Sequence, residues 1–254
     1  MMASEQRIAL ITGGSRGIGR ATAEALAGHG TDVIITYRKD RDAADDTVTA
    51  LREAGVRAAA LHLDLADSGS FDDTAAEIKG ILSDWGAERF DYLVNNAGMA
   101  HDALIAEVRE EDFDRLYTVQ VKGVFFLTQR LLPLIADGGA IVNVSSVVTT
   151  EIHPGSAVYG MMKGALEIFT RYLAKELGER RIAVNTIAPG ATDTDFAGSP
   201  LHENEAIMAE LSKQIAFGRP AHAKDIGRVT AALLTGASHW VTAQRIEASG
   251  GQGL

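Results

Sequence analysis

The fold of this chain is decided by the stretch Ile8-Ala9-Leu10-Ile11-Thr12-Gly13-Gly14-Ser15-Arg16-Gly17-Ile18-Gly19. Its short apolar run indicates a strand buried on both faces, and a glycine-rich turn and a helical pattern follow at once. Glycine permits positive φ and close backbone approach, while the free N–H groups at the start of a helix favour a pyrophosphate. The stretch therefore predicts a dinucleotide-binding turn, although its glycine spacing differs from G-x-G-x-x-G.

Short apolar runs and longer helical patterns alternate along the rest of the chain. Strands are predicted at 7–12, 32–37, 57–63, 92–94, 140–144, 182–188 and 245–248, and helices at 18–29, 41–54, 70–85, 110–135, 157–178 and 224–235. This alternation predicts one α/β domain over residues 1–254, with helices on both faces of a parallel sheet. The segment 192–221, with an amphipathic piece at 203–215, breaks the pattern and is interpreted as a substrate loop or lid, or else as a plain connection.

The composition argues against several classes of function. The 254 residues include 24 Lys and Arg against 34 Asp and Glu, a net charge of −10, which argues against a broadly basic nucleic-acid binder. Cysteine is absent, and the seven histidines show no metal-ligand spacing, so no metal site is predicted. No apolar stretch approaches the ~18 residues that span a bilayer, and the run at 8–12 is too short for a signal-peptide core. We expect a cytoplasmic protein without nucleic-acid or membrane partners.

The end of the second predicted strand bears on nucleotide preference. A domain that prefers NAD(H) places Asp or Glu there to bind the ribose hydroxyls, whereas this chain has Tyr37-Arg38-Lys39. A carboxylate would repel a 2′-phosphate, and Arg38 together with Arg16 could clamp it. NADP(H) is therefore predicted over NAD(H). Ordinary surface arginines are the alternative, and Asp40 nearby weakens the inference.

Three residues carry the predicted chemistry. Ser146 follows the fifth strand pattern, Tyr159 comes 13 residues later, and Lys163 four residues further on, where it shares a helix face with Tyr159. An adjacent cation lowers the pKa of a phenol from about 10, which makes Tyr159 a proton donor. Ser146 can then stabilise the negative charge that develops on a carbonyl oxygen as hydride arrives.

Five motifs occur in order and at one family's spacing: T-G-x-x-x-G-I-G at 12–19, N-N-A-G at 95–98, Ser146, Y-x-x-x-K at 159–163 and P-G at 189–190. Over residues 6–253 the chain resembles the short-chain dehydrogenase/reductase family, and within it the NADP-dependent reductases of the 3-oxoacyl-[acyl-carrier-protein] type. The resemblance implies a Rossmann-type, doubly wound parallel sheet of about seven strands, and a homo-oligomer, either a tetramer or a dimer.

The resemblance also implies the residues that bind the cofactor. They are Gly13, Ser15, Arg16, Gly17, Ile18 and Gly19 at the turn, Arg38 at the 2′-phosphate, Asp64 and Leu65 at the adenine, Asn95, Ala97 and Gly98 near the ribose, Tyr159 and Lys163 on the nicotinamide ribose, and Pro189, Gly190 and Thr192 near the carboxamide. Two structural alternatives stay open: Asp64 as a strand-end cap, and Asn95 as a brace of the sheet.

Two positions depart from the family pattern. Gln120 stands where the family commonly has a catalytic asparagine that holds a water in a proton relay to the lysine, and glutamine is one methylene longer. The segment 248–251 lacks the aspartate that relatives often carry before the paired glycines. We include Gln120 with Ser146, Tyr159 and Lys163 as a candidate catalytic residue.

These observations predict an NADP(H)-dependent oxidoreductase that transfers hydride between nicotinamide and a carbonyl or secondary alcohol. A 3-oxoacyl thioester and a small or cyclic ketone or a sugar are the candidate substrates. The competing classes are a non-catalytic nucleotide-binding protein on the same fold and an interaction module that uses its long helices for assembly. His153, in the loop between Ser146 and Tyr159, is either a substrate contact or an exposed loop residue.

Overall fold

The computed structural model describes residues 6–198, 201–236 and 240–254, so residues 1–5, 199–200 and 237–239 of the predicted domain lie outside the described part. The strands are β1 (Ile8–Ile11), β2 (Asp32–Tyr37), β3 (Ala58–His62), β4 (Phe90–Asn95), β5 (Ile135–Val144), β6 (Ala183–Pro189), β7 (Thr192–Asp193), β8 (Ala221–His222) and β9 (Arg245–Ala248). Within the described residues, seven of them form one parallel sheet in the order β3-β2-β1-β4-β5-β6-β9. The predicted doubly wound α/β fold is confirmed.

Helices cover both faces of this sheet. They are α1 (Gly17–Ala27), α2 (Arg41–Glu53), α3 (Phe71–Asp84), α4 (Glu110–Tyr117), α5 (Gly123–Leu131), α6 (Ala157–Glu176), α7 (Glu205–Gln214) and α8 (Ala223–Thr235). Along β1, Ile8 and Leu10 join the core beneath α3, α5 and α6, whereas Ala9 and Ile11 join the core beneath α1, α2 and α8. Burial on both faces explains the unbroken apolar run. No helix in the described ranges combines the length and apolarity needed to cross a bilayer.

The single helix predicted over 110–135 is wrong. The structure has α4, a π-helical turn over Thr118–Lys122, and α5, after which Ile135 already belongs to β5. Pro133 cannot donate a helical hydrogen bond and closes the helix in a short 3₁₀ turn. At Gly139 a Cβ would overlap the carbonyl oxygen of Asp91, so glycine lets β5 run beside β4 from an earlier start.

The excursion predicted over 192–221 has its own structure. β7 and β8 pair in parallel at its base, and α7 and two short 3₁₀ turns lie between them. His202 Nδ1 lies 3.0 and 2.9 Å from the two carboxylate oxygens of Asp193, which ties the second 3₁₀ turn to β7. Residues 199–200 of this segment lie outside the described part, and its role as a lid stays a prediction.

Candidate active site

A cavity of about 550 Å³ opens at the carboxyl ends of the strands. It lies where the strand order reverses between β1 and β4, the position at which doubly wound sheets bind ligands. Its wall combines the glycine turn, the ends of β2 and β3, the segment after β4, the segment after β5, the first turns of α6 and the start of the excursion after β6. Most of the residues predicted for the cofactor therefore share one cavity.

The backbone of the glycine turn lines this cavity at Gly13 and Gly17. Gly13 has a φ of +66°, and a Cβ there would lie 3.0 Å from the Cα of Ala97. Gly17 has a φ of +55°, which glycine adopts without strain. Gly19 differs from the prediction: it does not line the cavity, and a Cβ there would overlap the carbonyl oxygen of Gly13. Glycine at position 19 thus lets α1 pass close to the backbone of the turn.

Asn96, which the sequence analysis did not select, holds this turn in place. Its Nδ2 donates to the carbonyl oxygens of Thr12 and Gly13 at 2.9 and 3.0 Å. The hydroxyl oxygen of Thr12 in turn accepts from the backbone N–H groups of Asn96 and Ala97, both at 3.0 Å. Its place in the N-N-A-G motif was the signal that could have identified it.

Asn95 lies behind the cavity wall and not beside the predicted ribose. It is buried, and its Nδ2 donates to Asn143 Oδ1 at 2.8 Å and to Thr128 Oγ1 at 3.1 Å. As the last residue of β4, it points to the opposite side from Asn96. Its contacts brace β4 against β5 and α5, which is the structural alternative stated above.

Three charged residues line the end of the cavity beside β2: Arg16, Arg38 and Asp40. Arg38 is exposed on the cavity wall, and no described residue pairs with it. Asp40 caps α2, because its carboxylate accepts from the backbone N–H of Ala43 at 3.0 Å. The guanidinium of Arg16 forms an ion pair with Asp195 in the excursion after β6. Arg38 is therefore available to a ligand phosphate, whereas Arg16 already has a partner.

The residues predicted at the adenine both line the cavity. Asp64 also accepts a hydrogen bond from the backbone N–H of Ala66 at 2.9 Å, so it caps the end of β3 as well as facing the cavity. Leu65 is buried beneath α5. A Cβ at Gly123 would overlap the carbonyl oxygen of Leu65, so glycine at this place allows the close contact.

Ser146, Tyr159 and Lys163 converge on one side of the cavity. Ser146 begins a 3₁₀ turn after β5 and lines the cavity together with Tyr159, whose hydroxyl its side chain approaches. Lys163 Nζ lies 5.5 Å from the centroid of the Tyr159 ring and donates to the carbonyl oxygen of Val144 at 2.9 Å. The i, i+4 spacing on α6 thus brings the ammonium beside the phenol, as expected.

The pKa values differ from the sequence expectation. Burial raises the pKa of Tyr159 well above its ordinary value, the side chain of Ser146 opposes this, and the carboxylate of Asp102 raises it further. Burial lowers the pKa of Lys163 to about 8. The expected lowering of the phenol pKa by Lys163 is absent, because desolvation dominates at this position. Tyr159 therefore carries its proton at neutral pH, which suits a proton donor.

Gln120 lies in the π-helical turn and is buried beneath Gly98. Its Nε2 donates to the carbonyl oxygen of Met99 at 3.0 Å, and its Oε1 has no hydrogen-bond partner among the described residues. A Cβ at Gly98 would lie 3.1 Å from Gln120 Oε1 and 3.6 Å from Lys163 Nζ. The glutamine amide and the lysine ammonium therefore flank the same small space.

The side of the cavity beyond Tyr159 is mostly apolar. The residues that line it are Ala100, Asp102, Val148, Ser156, Phe196 and Leu201. The ring of Phe196 lies 6.2 Å from that of Tyr159. Three further lining residues were not predicted individually, because the sequence indicated only a substrate loop or lid around them: Thr194, Phe196 and Leu201. His153 does not line the cavity; it is exposed, and its Nε2 lies 3.5 Å from Glu151.

The residues predicted near the carboxamide line the cavity after β6. They are Pro189, Gly190 and Thr192. Gln252, which the sequence did not predict either, supports this wall: its Oε1 accepts from the backbone N–H of Ala191 at 2.7 Å, and a Cβ at Gly190 would lie 2.7 Å from the same oxygen. Gln252, which supports the site, thus comes directly after the segment 248–251 that departs from the family pattern.

Known proteins of this architecture align with almost the whole chain. A family model described as enoyl-(acyl carrier protein) reductase matches residues 13–252. The 3-oxoacyl-[acyl-carrier-protein] reductase FabG of Staphylococcus aureus is 35% identical over 245 residues, which are 96% of each chain. LugOII, a promiscuous reductase that catalyses keto-reduction at C1 during lugdunomycin biosynthesis, matches with a TM-score of 0.92 at 38% identity over 98% of both chains. The angucycline C-6 ketoreductase LanV, solved with bound NADP, matches with a TM-score of 0.90 at 40% identity over 96% of this chain and 95% of its own.

This chain belongs to the short-chain dehydrogenase/reductase family, as its motifs predicted. It is an oxidoreductase that acts on C=O or CH–OH groups.

Proposed function

We propose that this protein is an NADPH-dependent ketoreductase. The observation that carries the proposal is the convergence of Ser146, Tyr159 and Lys163 in one cavity with the glycine turn, with Lys163 Nζ 5.5 Å from the centroid of the phenol ring. Two hydroxyl groups that face one point suit the oxygen of a carbonyl group. An enoyl thioester, the substrate type that the description of the matching family model names, also develops negative charge on its carbonyl oxygen when hydride adds to it, so the assay below includes one.

The residues at the turn fit a dinucleotide. The turn lines the cavity at the start of α1, where the free backbone N–H groups of a helix N-terminus favour a phosphate. Arg38 is exposed and unpaired within the described part of the chain, and is proposed to bind the 2′-phosphate, together with Arg16 once it leaves Asp195. Asp40 is engaged as the cap of α2, so it does not act as the ribose-binding carboxylate of an NAD(H) site. NADP bound to the similar LanV supports the same preference.

The side chains of this chain position and protonate the substrate oxygen. Bound NADPH supplies the hydride. Ser146 donates a hydrogen bond to the carbonyl oxygen, and Tyr159, protonated at neutral pH, gives it a proton. Lys163, held by the carbonyl oxygen of Val144, lies beside Tyr159 and orients the ribose. Gln120 Oε1, beside Lys163, takes the relay role that the resemblance gives to asparagine.

We propose a cyclic ketone with a flat, apolar body as the substrate class. Phe196 lies 6.2 Å from Tyr159, and Val148 and Leu201 complete an apolar slot. The charged residue on this side is Asp102, a carboxylate that disfavours the phosphate-bearing arm of an acyl thioester. LugOII, a reductase of lugdunomycin biosynthesis, and the angucycline C-6 ketoreductase LanV support this choice over the 3-oxoacyl thioester of FabG.

The test is the loss of NADPH absorbance with 1-tetralone, acetoacetyl thioester and crotonyl thioester at equal concentrations. We expect turnover of the tetralone to exceed that of acetoacetyl thioester by at least about tenfold in kcat/KM. The reverse ratio would assign a 3-oxoacyl reductase, and turnover of crotonyl thioester would assign an enoyl reductase. NADPH binding without turnover of any substrate would favour the nucleotide-binding protein, and failure to bind either nucleotide would favour the interaction module.

Two variants test the roles within the site. Tyr159→Phe should abolish turnover and leave NADPH binding unchanged, because it removes only the hydroxyl group; retained activity would refute the role of Tyr159. Gln120→Asn should lower kcat, because the shorter amide cannot keep the hydrogen bond to the carbonyl oxygen of Met99. An increase would show that glutamine makes a suboptimal relay.

The homo-oligomer and the cytoplasmic location stay predictions. Apolar side chains exposed on α5 and α6 support a second copy as the partner of this face: Phe125, Phe126, Ile168 and Tyr172 are between 41% and 68% exposed. Light scattering on the purified protein, with Phe126→Lys as the disrupting variant, tests the assembly.

A further inference from the structure

Glu167 receives several hydrogen bonds just outside the proposed active site. It lies on α6, four residues beyond Lys163, and its side chain is only 17% exposed. One oxygen, Oε1, accepts from the hydroxyls of Ser145 and Thr149, both at 2.8 Å, and from Nε of Arg245 at 3.1 Å. The mechanism proposed above assigns this carboxylate no part.

Two of these donors, Ser145 and Thr149, lie on either side of Ser146 in the sequence. Ser145 precedes it directly, and Thr149 closes the 3₁₀ turn that Ser146 begins. The hydroxyl of Thr149 also lies 3.0 Å from the carbonyl oxygen of Ser146, so its single hydrogen serves either that oxygen or Glu167. The backbone that carries Ser146 is therefore tied to the helix that carries Tyr159 and Lys163.

The acceptor oxygen of Glu167 is what this arrangement uses. An ionised carboxylate is a pure acceptor and strengthens each hydrogen bond that it receives. Arg245 on β9 balances the charge, and it also donates to Glu247 Oε2 at 3.0 Å and to Thr150 Oγ1 at 3.1 Å. Removal of the carboxylate leaves two hydroxyls and a guanidinium without their common acceptor.

We propose that Glu167 is a positioning residue of the reaction, which acts through Ser145 and Thr149 to keep Ser146 within hydrogen-bond reach of Tyr159. The inference rests on the proposed function for its catalytic consequence. A displacement of about 1 Å in a group that orients the substrate can lower a rate by about 100-fold. Glu167 thus sets the alignment of the donor pair without contact with the substrate.

The first test separates alignment from general damage. We expect Glu167→Ala to lower kcat for the ketone by about 10- to 100-fold, with KM and the NADPH dissociation constant within about twofold. Glu167→Gln keeps one acceptor oxygen and should recover most of the loss. Glu176→Ala, at an exposed position of the same helix, is the matched control and should leave kcat unchanged. Equal losses for the alanine and glutamine variants, or a loss in NADPH affinity, would overturn the proposal.

A double-mutant cycle with Ser146→Ala tests the route of the effect. If Glu167 acts through Ser146, its removal should lower kcat less than about threefold once the serine hydroxyl is absent. The same fold loss in both backgrounds would show a role independent of Ser146.

A measurement that needs no turnover keeps the two proposals distinguishable. Amide hydrogen exchange over 145–150 should accelerate in Glu167→Ala and stay unchanged in Glu176→Ala. Unchanged exchange would overturn the positioning role, even if the protein reduces ketones. Faster exchange in a protein that reduces no ketone would overturn the proposed function and leave the anchoring of this segment by Glu167 established.

Discussion

Burial of Lys163 should make the stability of the free protein depend on pH in an unusual direction. The lysine is 3% exposed, and burial lowers its pKa from 10.5 to about 8. The unfolded chain, with an ordinary pKa, then binds this proton more tightly than the folded chain. Stability therefore rises with pH between about 8 and about 10.5, by about 1.4 kcal/mol per pH unit at most and about 3 kcal/mol in total.

Lys163→Met removes the charge and keeps the length of the side chain. We expect the free energy of unfolding of the wild type, minus that of the variant, to rise by about 3 kcal/mol from pH 7 to pH 10.5. At pH 7 the two proteins differ in free energy of unfolding by less than 3 kcal/mol. The variant avoids the cost of the buried charge, but it also loses about 1–3 kcal/mol because the carbonyl oxygen of Val144 has no donor.

Urea unfolding without nucleotide, at one protein concentration and at several pH values, measures this difference. Lys175→Met, an exposed lysine on the same helix, is the control and should give a difference that does not change with pH. A difference between the wild type and Lys163→Met that is flat or falls with pH would refute the reasoning. It would mean that the ammonium finds compensation within the fold.

Asp195→Asn should tighten NADPH binding by about two- to fivefold, because it frees Arg16 for the 2′-phosphate; fluorescence titration should show no such gain for NADH. Gly19→Ala should lower the free energy of unfolding by about 1–3 kcal/mol and weaken NADPH binding, because its Cβ overlaps the turn, whereas Gly80→Ala on α3, with open space around it, should raise stability by about 0.5–1 kcal/mol in the same urea experiment. Arg181→Gly should raise stability by about 0.5–1 kcal/mol, since Arg181 has a φ of +54° that costs a non-glycine residue energy; a lower midpoint of thermal unfolding would contradict this.

Local patterns predicted the sheet and the helix that carries Tyr159 and Lys163 well. The strands that are buried on both faces are apolar throughout, so the periodicity of the sequence reflects their environment directly. The spacing of Tyr159 and Lys163 was equally informative, because four residues on a helix always return to the same face. Where one element alone determines the geometry, the chain could be interpreted before its structure was known.

Contacts between distant segments could not be predicted in the same way. Arg16 and Asp195 are 179 residues apart, and no local pattern relates them. Asn95 and Asn96 are adjacent and chemically identical, and only the end of β4 decides which of them faces the cavity. The pKa of Tyr159 depends on burial by several elements at once, so the spacing of the lysine alone led to the wrong direction.

The support that Gln252 gives to Ala191 has a consequence for how the protein is made. These residues are 61 positions apart, and a ribosome synthesises the glycine turn and the proposed catalytic residues long before it reaches the second partner. Gln252 Nε2 also donates to Glu151 at 2.8 Å, beside the loop that follows Ser146. A nascent chain therefore holds the reactive groups but not the finished wall around them. Nucleotide added to stalled ribosome complexes should be retained only after the segment around residue 252 has left the exit tunnel.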